Sequence, residues 1–167
     1  VRFFIEALGA IRHRIAGAVS SSLDSTQRLE ALGISVSDPN TLTEKLPVYI
    51  DGADEIDGDF HMIKGGGAAL TREKIVAAIS ETFVCVCDQS KIVSVRGKPT
   101  LPLEPNPTPR RQVSRTLNAL GGQARWREGV ITDNGNIIVD VHGLAITHPV
   151  EMESEINQIP GVVTNGL

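Results

Sequence analysis

Five of the nine prolines, Pro99, Pro102, Pro105, Pro107 and Pro109, fall within eleven residues. Proline fixes its own φ and donates no backbone hydrogen bond, so this stretch reads as neither helix interior nor central strand. Composition changes at Lys98, and the chain is expected to divide there, with one domain over residues 1–100 and another over 101–167. At 167 residues it is long enough to hide about 70% of its unfolded surface.

On the N-terminal side short apolar runs alternate with helical segments. Residues 3–8 read as a helix ending at Gly9, residues 15–19 as a short buried strand, and residues 25–32 as a helix capped by Ser25 and stopped by Gly33. A strand edge over 34–36 follows, then a strand over 46–51, a helix over 68–80 and a strand over 82–88. This is the pattern of an α/β unit with a mainly parallel sheet, in which ligands sit at the carboxyl ends of strands. Beyond the prolines the spacing predicts a helix over 110–120, closed by Gly121-Gly122, and a strand over 123–126. Asn134-Gly135 makes a hairpin between strands over 129–131 and 137–141. A helix after Pro149 and a strand over 162–164 complete it. With a strand over 101–103 the order is βαββαβ, the split-βαβ form of a small α+β, ferredoxin-like domain.

Sixteen basic and twenty acidic residues leave a formal charge of −4, and six aromatics are few for stacking bases. Nucleic acid is therefore not an expected partner. No apolar run approaches the ~20 residues of a membrane span, and Val1 opens no basic-then-apolar leader. The expectation is a soluble, cytoplasmic chain. Cys85 and Cys87 alternate within FVCVC, too close along one strand for an ordinary disulfide. They are read as buried, reduced thiols.

The chemistry-bearing residues gather in three places. DGADEIDGD puts five carboxylates in nine residues, from Asp51 to Asp59, directly after the 46–51 strand. A solvated acidic loop competes with an active-site reading there. Lys64-Gly65-Gly66-Gly67 then precedes a helix, and the glycines allow close backbone approach to an anion at the helix's positive end. The run is neither a P-loop nor GxGxxG, and a plain flexible turn is the alternative. Glu73 lies about 9 Å along the helix axis from Gly67, within reach of the same site or exposed on the helix surface. Asp88 and Lys91 follow the 82–88 strand in DQSK, at a second carboxyl strand end or in an ordinary turn. The histidines His13, His61, His142 and His148 form no HxH or HExxH pair, and no metal is assigned.

The strings DGADEIDGDFHMIKGGGAALTREKI, CVCDQSK and REGVITDNGNIIVDVHG resemble the type A ribose-5-phosphate isomerase family, and the similarity runs from Val1 to Leu167. The resemblance implies interconversion of ribose 5-phosphate and ribulose 5-phosphate without metal or other cofactor. It also implies an α/β domain joined to a ferredoxin-like one. Glu73 is similar to the family's proton-transferring base. Asp51 and Asp54 match its sugar-contacting and ring-opening aspartates, Lys64 its lysine beside the enediolate, and Lys91 the lysine of its D-x-S-K turn. The chemistry asks for such groups: a carboxylate base, a cation near a developing oxyanion, and amides and cations for a phosphate. Gly65, Gly66, Gly67, Asp88 and Lys91 are accordingly the candidate substrate-binding residues.

The family carries a glycine/threonine/serine-rich phosphate loop ahead of a segment like residues 1–8, and a further strand beyond one like 161–167. On that expectation the chain alone isomerises its sugar phosphate poorly or not at all, and exposed sheet edges favour a homodimer or homotetramer. Pro105 and Pro107-Thr108-Pro109 also stand where the family is less proline-rich, which bears on the first strand of the small domain. Two other readings are a catalytically impaired sugar-phosphate-binding or subunit-interaction protein of the same fold, and a coenzyme A transferase using Glu73 as nucleophile.

Overall fold

A computed structural model describes residues 1–94 and 100–167; the boundary expected at Lys98 lies outside the described residues. In chain order the elements are α1 (Arg2–Leu8), α2 (Leu23–Ala31), β1 (Leu46–Asp51), β2 (Glu55–Ile56), β3 (Met62–Ile63), α3 (Leu70–Ala78), β4 (Ser80–Cys85), β5 (Leu101–Pro105), α4 (Arg110–Ala119), β6 (Gln123–Ile131), β7 (Ile137–His142), α5 (Pro149–Asn157) and β8 (Val162–Asn165). They fall into two compact units, Val1–Gly52 with Arg72–Val86, and Ala53–Thr71 with Cys87–Leu167.

In the first unit β1 and β4 pair in parallel, with Tyr49 opposite Phe83 and Asp51 opposite Cys85. Parallel strands need a crossover, and α3 leads directly into β4. Ile5, Leu29 and Ile34 form a small core with Phe4, Leu8, Ile15 and Val36 packed against it. The cap of α2 is Ser22, not Ser25: Ser22 Oγ accepts from the Ser25 N–H at 3.1 Å, the donor of the helix's first turn left without an intrahelical acceptor. The strand expected over 15–19 reduces to one parallel bridge, Ala18 to Val36. Gly17 has no side chain to pack and a turn of 3-10 helix ends at Arg14, so the ladder does not extend.

The thiols also differ from expectation. Cys85 is half-buried, Cys87 is exposed, and neither is in a disulfide. β4 ends at Cys85 and, among the described residues, pairs only with β1, so Cys87 falls in the following loop.

In the second unit β5, β6, β7 and β8 form an antiparallel sheet in the order β6-β7-β5-β8. With α4 after β5 and α5 after β7, this is consistent with the split-βαβ, ferredoxin-like topology. α4 buries Val113 and Leu117, one turn apart, and exposes its arginine-rich face. These residues join Leu103, Val139 and Ile156 in a core from which water is excluded; each buried aliphatic side chain contributes about 1.5–3 kcal/mol. The hairpin forms as expected, with Gly135 at φ +78° and the Thr132 N–H donating to Asn136 O at 2.9 Å. β6 is one strand, irregular between Trp126 and Ile131, where Gly129 takes φ +76°.

The proline-rich stretch contains a central strand after all, since β5 is paired on both sides. The two prolines in it mark the ends of the β5–β8 ladder. A residue's N–H and C=O point to the same side of a strand, and Pro102 O accepts from Gly166, one residue past the end of β8. The missing donor of Pro102 thus faces the chain beyond the ladder. At the other end the register shifts between Glu104 and Pro105.

Between those prolines Glu104 is fully buried. Its Oε1 accepts from Thr132 Oγ1 at 2.7 Å, Asn136 Nδ2 at 2.9 Å and Asn134 Nδ2 at 3.1 Å; its Oε2 accepts from Thr71 Oγ1 at 2.5 Å. Burial pushes its pKa upward, and the four hydrogen bonds outweigh that and hold it below the ordinary carboxylate value. A depressed folded pKa gives stability that is present above the unfolded value and lost as pH falls through the folded one. The stability gap between wild type and Glu104→Gln, read by denaturant unfolding, is therefore expected to be largest near neutrality and to shrink on acidification below the usual carboxylate range. A gap that widens on acidification would contradict the buried anion.

Candidate functional site

In the first unit the candidate site residues are Asp51 and Glu73, joined by one that the sequence reading passed over. Tyr49 and Asp51 are two apart in β1 and so share a face. The Tyr49 hydroxyl donates to Asp51 Oδ2 at 2.7 Å and lies 3.2 Å from Ser21 Oγ. The Gly52 N–H donates to Asp51 Oδ1 at 2.8 Å. Burial pushes the Tyr49 phenol far above its ordinary pKa; the Ser21 hydrogen bond opposes this, and the charges of Asp51 and Glu73 add to it. Tyr49 is thus held as a neutral donor beside two carboxylates. Glu73 lies in the first turn of α3, where a negative charge is favoured by the helix dipole, and its Oε2 is buried. The i, i+2 alternation of an aromatic hydroxyl and a carboxylate was the signal that could have found Tyr49.

In the second unit Asp54 and the glycine run form one local structure. Asp54 Oδ2 accepts from the Gly66 N–H at 2.7 Å. A Cβ on Gly66 would stand 2.7 Å from Asp54 Oδ1, so the carboxylate fills the space that any side chain would need. Gly65 has φ +100°, and its N-terminal neighbour Lys64 donates its backbone N–H to Gly166 O at 2.8 Å. Arg127 Nη1 donates to Gly66 O at 2.9 Å while its guanidinium engages both oxygens of Asp140, at 2.7 and 2.5 Å. The run is therefore a pinned loop, not a plain flexible turn. Gly67 stays exposed. Ala68, at φ +64°, ends the loop, which is why α3 begins at Leu70 and not at residue 68.

The acidic run is divided among distinct tasks. Glu55 is buried in β2. Asp57 accepts from the backbone of Asp59 and His61 at 3.0 and 2.9 Å in the β2–β3 turn, with His61 Nδ1 3.3 Å from its Oδ2. Asp57, Asp59 and His61 each offer a ligand atom within 4.8 Å of the others. Further along, Asp88 caps a 3-10 turn over Gln89–Lys91, accepting from the Ser90 backbone at 2.8 Å and from its hydroxyl. The Ser90 hydrogen bonds, with the charge of Lys91, lower the Asp88 pKa. Lys91 is half-buried at the end of that turn.

The first unit is thus an α/β arrangement carrying the candidate carboxylates Asp51 and Glu73, and the second carries a glycine loop locked by Asp54. The pattern of the family described as ribose 5-phosphate isomerase A (phosphoriboisomerase A) matches residues 17–167. A curated ribose-5-phosphate isomerase A from Leptothrix cholodnii is 61% identical over 168 residues, which is 100% of this chain and 76% of that protein. Among solved structures, ribose 5-phosphate isomerase A from Neisseria gonorrhoeae is 53% identical with a TM-score of 0.96, covering 99% of this chain and 74% of its own. A D-ribose-5-phosphate isomerase in complex with phospho-erythronic acid is 35% identical with a TM-score of 0.92, covering 99% and 76%. The chain belongs to the ribose 5-phosphate isomerase A family.

Proposed function

We propose that the chain interconverts ribose 5-phosphate and ribulose 5-phosphate through a cis-enediolate. The observation that carries this is the 61% identity with a ribose-5-phosphate isomerase A along the whole chain. In this reading Glu73 takes the proton from C2 of the open-chain aldose and returns it to C1. The C2 hydroxyl becomes the carbonyl while the C1 aldehyde becomes an alcohol. Lys64 and the amides of Gly65 and Gly67 meet the oxygen on which negative charge develops, while the Gly66 amide holds Asp54 in place. Asp51, oriented by Tyr49, and Asp54 handle sugar hydroxyls and ring opening, and Asp88 with Lys91 contacts the substrate. That a relative of this family holds phospho-erythronic acid, a phosphorylated sugar acid, supports a sugar phosphate as the ligand. Residues 1–100 then act as the catalytic α/β domain and 101–167 as the small α+β domain, in a cytoplasmic homodimer or homotetramer. Among the described residues no helix is long and apolar enough to cross a membrane. No specific observation favours a catalytically impaired binding protein. The direct test is to follow ketose formation from ribose 5-phosphate.

With Lys64 as the electrophile the reaction needs no metal. Turnover is expected to survive exhaustive dialysis against a chelator at its starting rate. Loss on chelation with recovery on adding a divalent ion would contradict this and direct attention to Asp57, Asp59 and His61.

A further inference from the structure

Glu104 stands outside the groups assigned to the reaction, yet its environment is costly to build. β5 is otherwise apolar where it meets the core, with Leu101 and Leu103 buried, and an aliphatic side chain would fill such a position without the penalty of burying an anion. What the carboxylate adds is a division of labour between its two oxygens. Oε1 takes three donors, all from the β6–β7 turn: Thr132, Asn134 and Asn136. Oε2 takes the Thr71 hydroxyl, in the first turn of α3. The two oxygens of one carboxylate are rigidly spaced, so the anchored turn fixes where the Thr71 hydroxyl must sit.

Thr71 and Glu73 are two residues apart on that helix. At 3.6 residues per turn they project roughly 200° apart around its axis. A clamp on Thr71 therefore fixes the rotation of α3 and, with it, the direction in which Glu73 is presented. We infer that Glu104 and Thr71 are positioning residues, a carboxylate–hydroxyl clamp that sets the rotation of the catalytic helix. This rests on the assignment of Glu73 as the base.

The test compares four variants of the full chain for kcat, KM and melting temperature. Thr71→Val removes the hydroxyl and keeps the shape, and Thr71→Ala removes it in a strong helix former should the valine variant not fold. Each is expected to lower kcat about tenfold, with KM within about twofold, as small misplacements of reacting groups do. Thr71→Ser restores the hydroxyl and is expected to restore kcat. Asn134→Ala cuts one link on the turn side only and is expected to lower the melting temperature while leaving kcat in place. If the hydroxyl-free variants lose melting temperature as Asn134→Ala does but keep full kcat, the clamp is only structural and the inference is overturned. Glu73→Gln run alongside separates the two levels: full activity there overturns the base assignment itself, whereas an inactive Glu73→Gln beside a fully active Thr71→Val overturns the clamp alone.

Discussion

Glu73→Gln is expected to lower turnover by about 10²-fold or more while substrate binding changes little. The amide keeps the size and most ground-state contacts of the side chain and cannot take the C2 proton. The position has the features of a working base. It lies in the first turn of α3, directly after the pinned glycine loop, with one oxygen buried, and its charge is felt by Tyr49. A carboxylate merely exposed on a helix would give almost no effect on either quantity. Weakened binding with preserved turnover would instead make Glu73 a substrate contact. Steady-state kinetics together with a binding titration of the inactive variant distinguish these outcomes.

A large effect on stability is expected at Gly65, within the glycine loop. This buried residue has φ +100°, and a Cβ there would stand 2.8 Å from Leu70 Cβ and 3.0 Å from Pro102 Cγ. One neighbour is fixed in the first turn of α3 and the other in β5, so neither yields as a flexible side-chain tip would. Strained backbone and overpacking together put the cost of Gly65→Ala at about 3 kcal/mol. For a chain of this size that lowers the melting temperature by about 6–12 °C. Gly67 is the internal control, because nothing lies within 4 Å of its would-be Cβ. Gly67→Ala is expected to leave the melting temperature nearly unchanged. Equal losses at the two positions would mean that the glycines serve loop flexibility and not close packing.

Much of this was legible in the sequence because it is set by local rules. The 46–51 strand, the helix after the glycines and the Asn134-Gly135 hairpin depend on periodicity and turn chemistry within a few residues. The prolines misled for the opposite reason. Whether a strand tolerates Pro102 depends on where β8 ends, a fact held some sixty residues away. The carboxylates of DGADEIDGD look alike in sequence, but their tasks are set by different partners: the loop residue Gly66 for Asp54, and the adjoining Tyr49 and Gly52 for Asp51. Arg127 opens one of the strings that carry the resemblance and Glu104 lies in none, and for neither does local sequence give a role. Their importance lies in what they touch: the carbonyl of Gly66 for one, the hydroxyl of Thr71 for the other.

The central claim is that a proton, abstracted by a carboxylate, moves between adjacent carbons of a sugar phosphate. Ribose 5-phosphate incubated with the full chain in heavy water tests it most directly, with magnetic resonance reading both the ketose formed and its C1 hydrogens. Ribulose 5-phosphate is expected to form with solvent deuterium accumulating at C1 over repeated turnovers, because the proton on Glu73 exchanges during some of the enediolate's lifetimes. Failure to form the ketose, or its formation with no deuterium at C1 after many turnovers, would contradict the account.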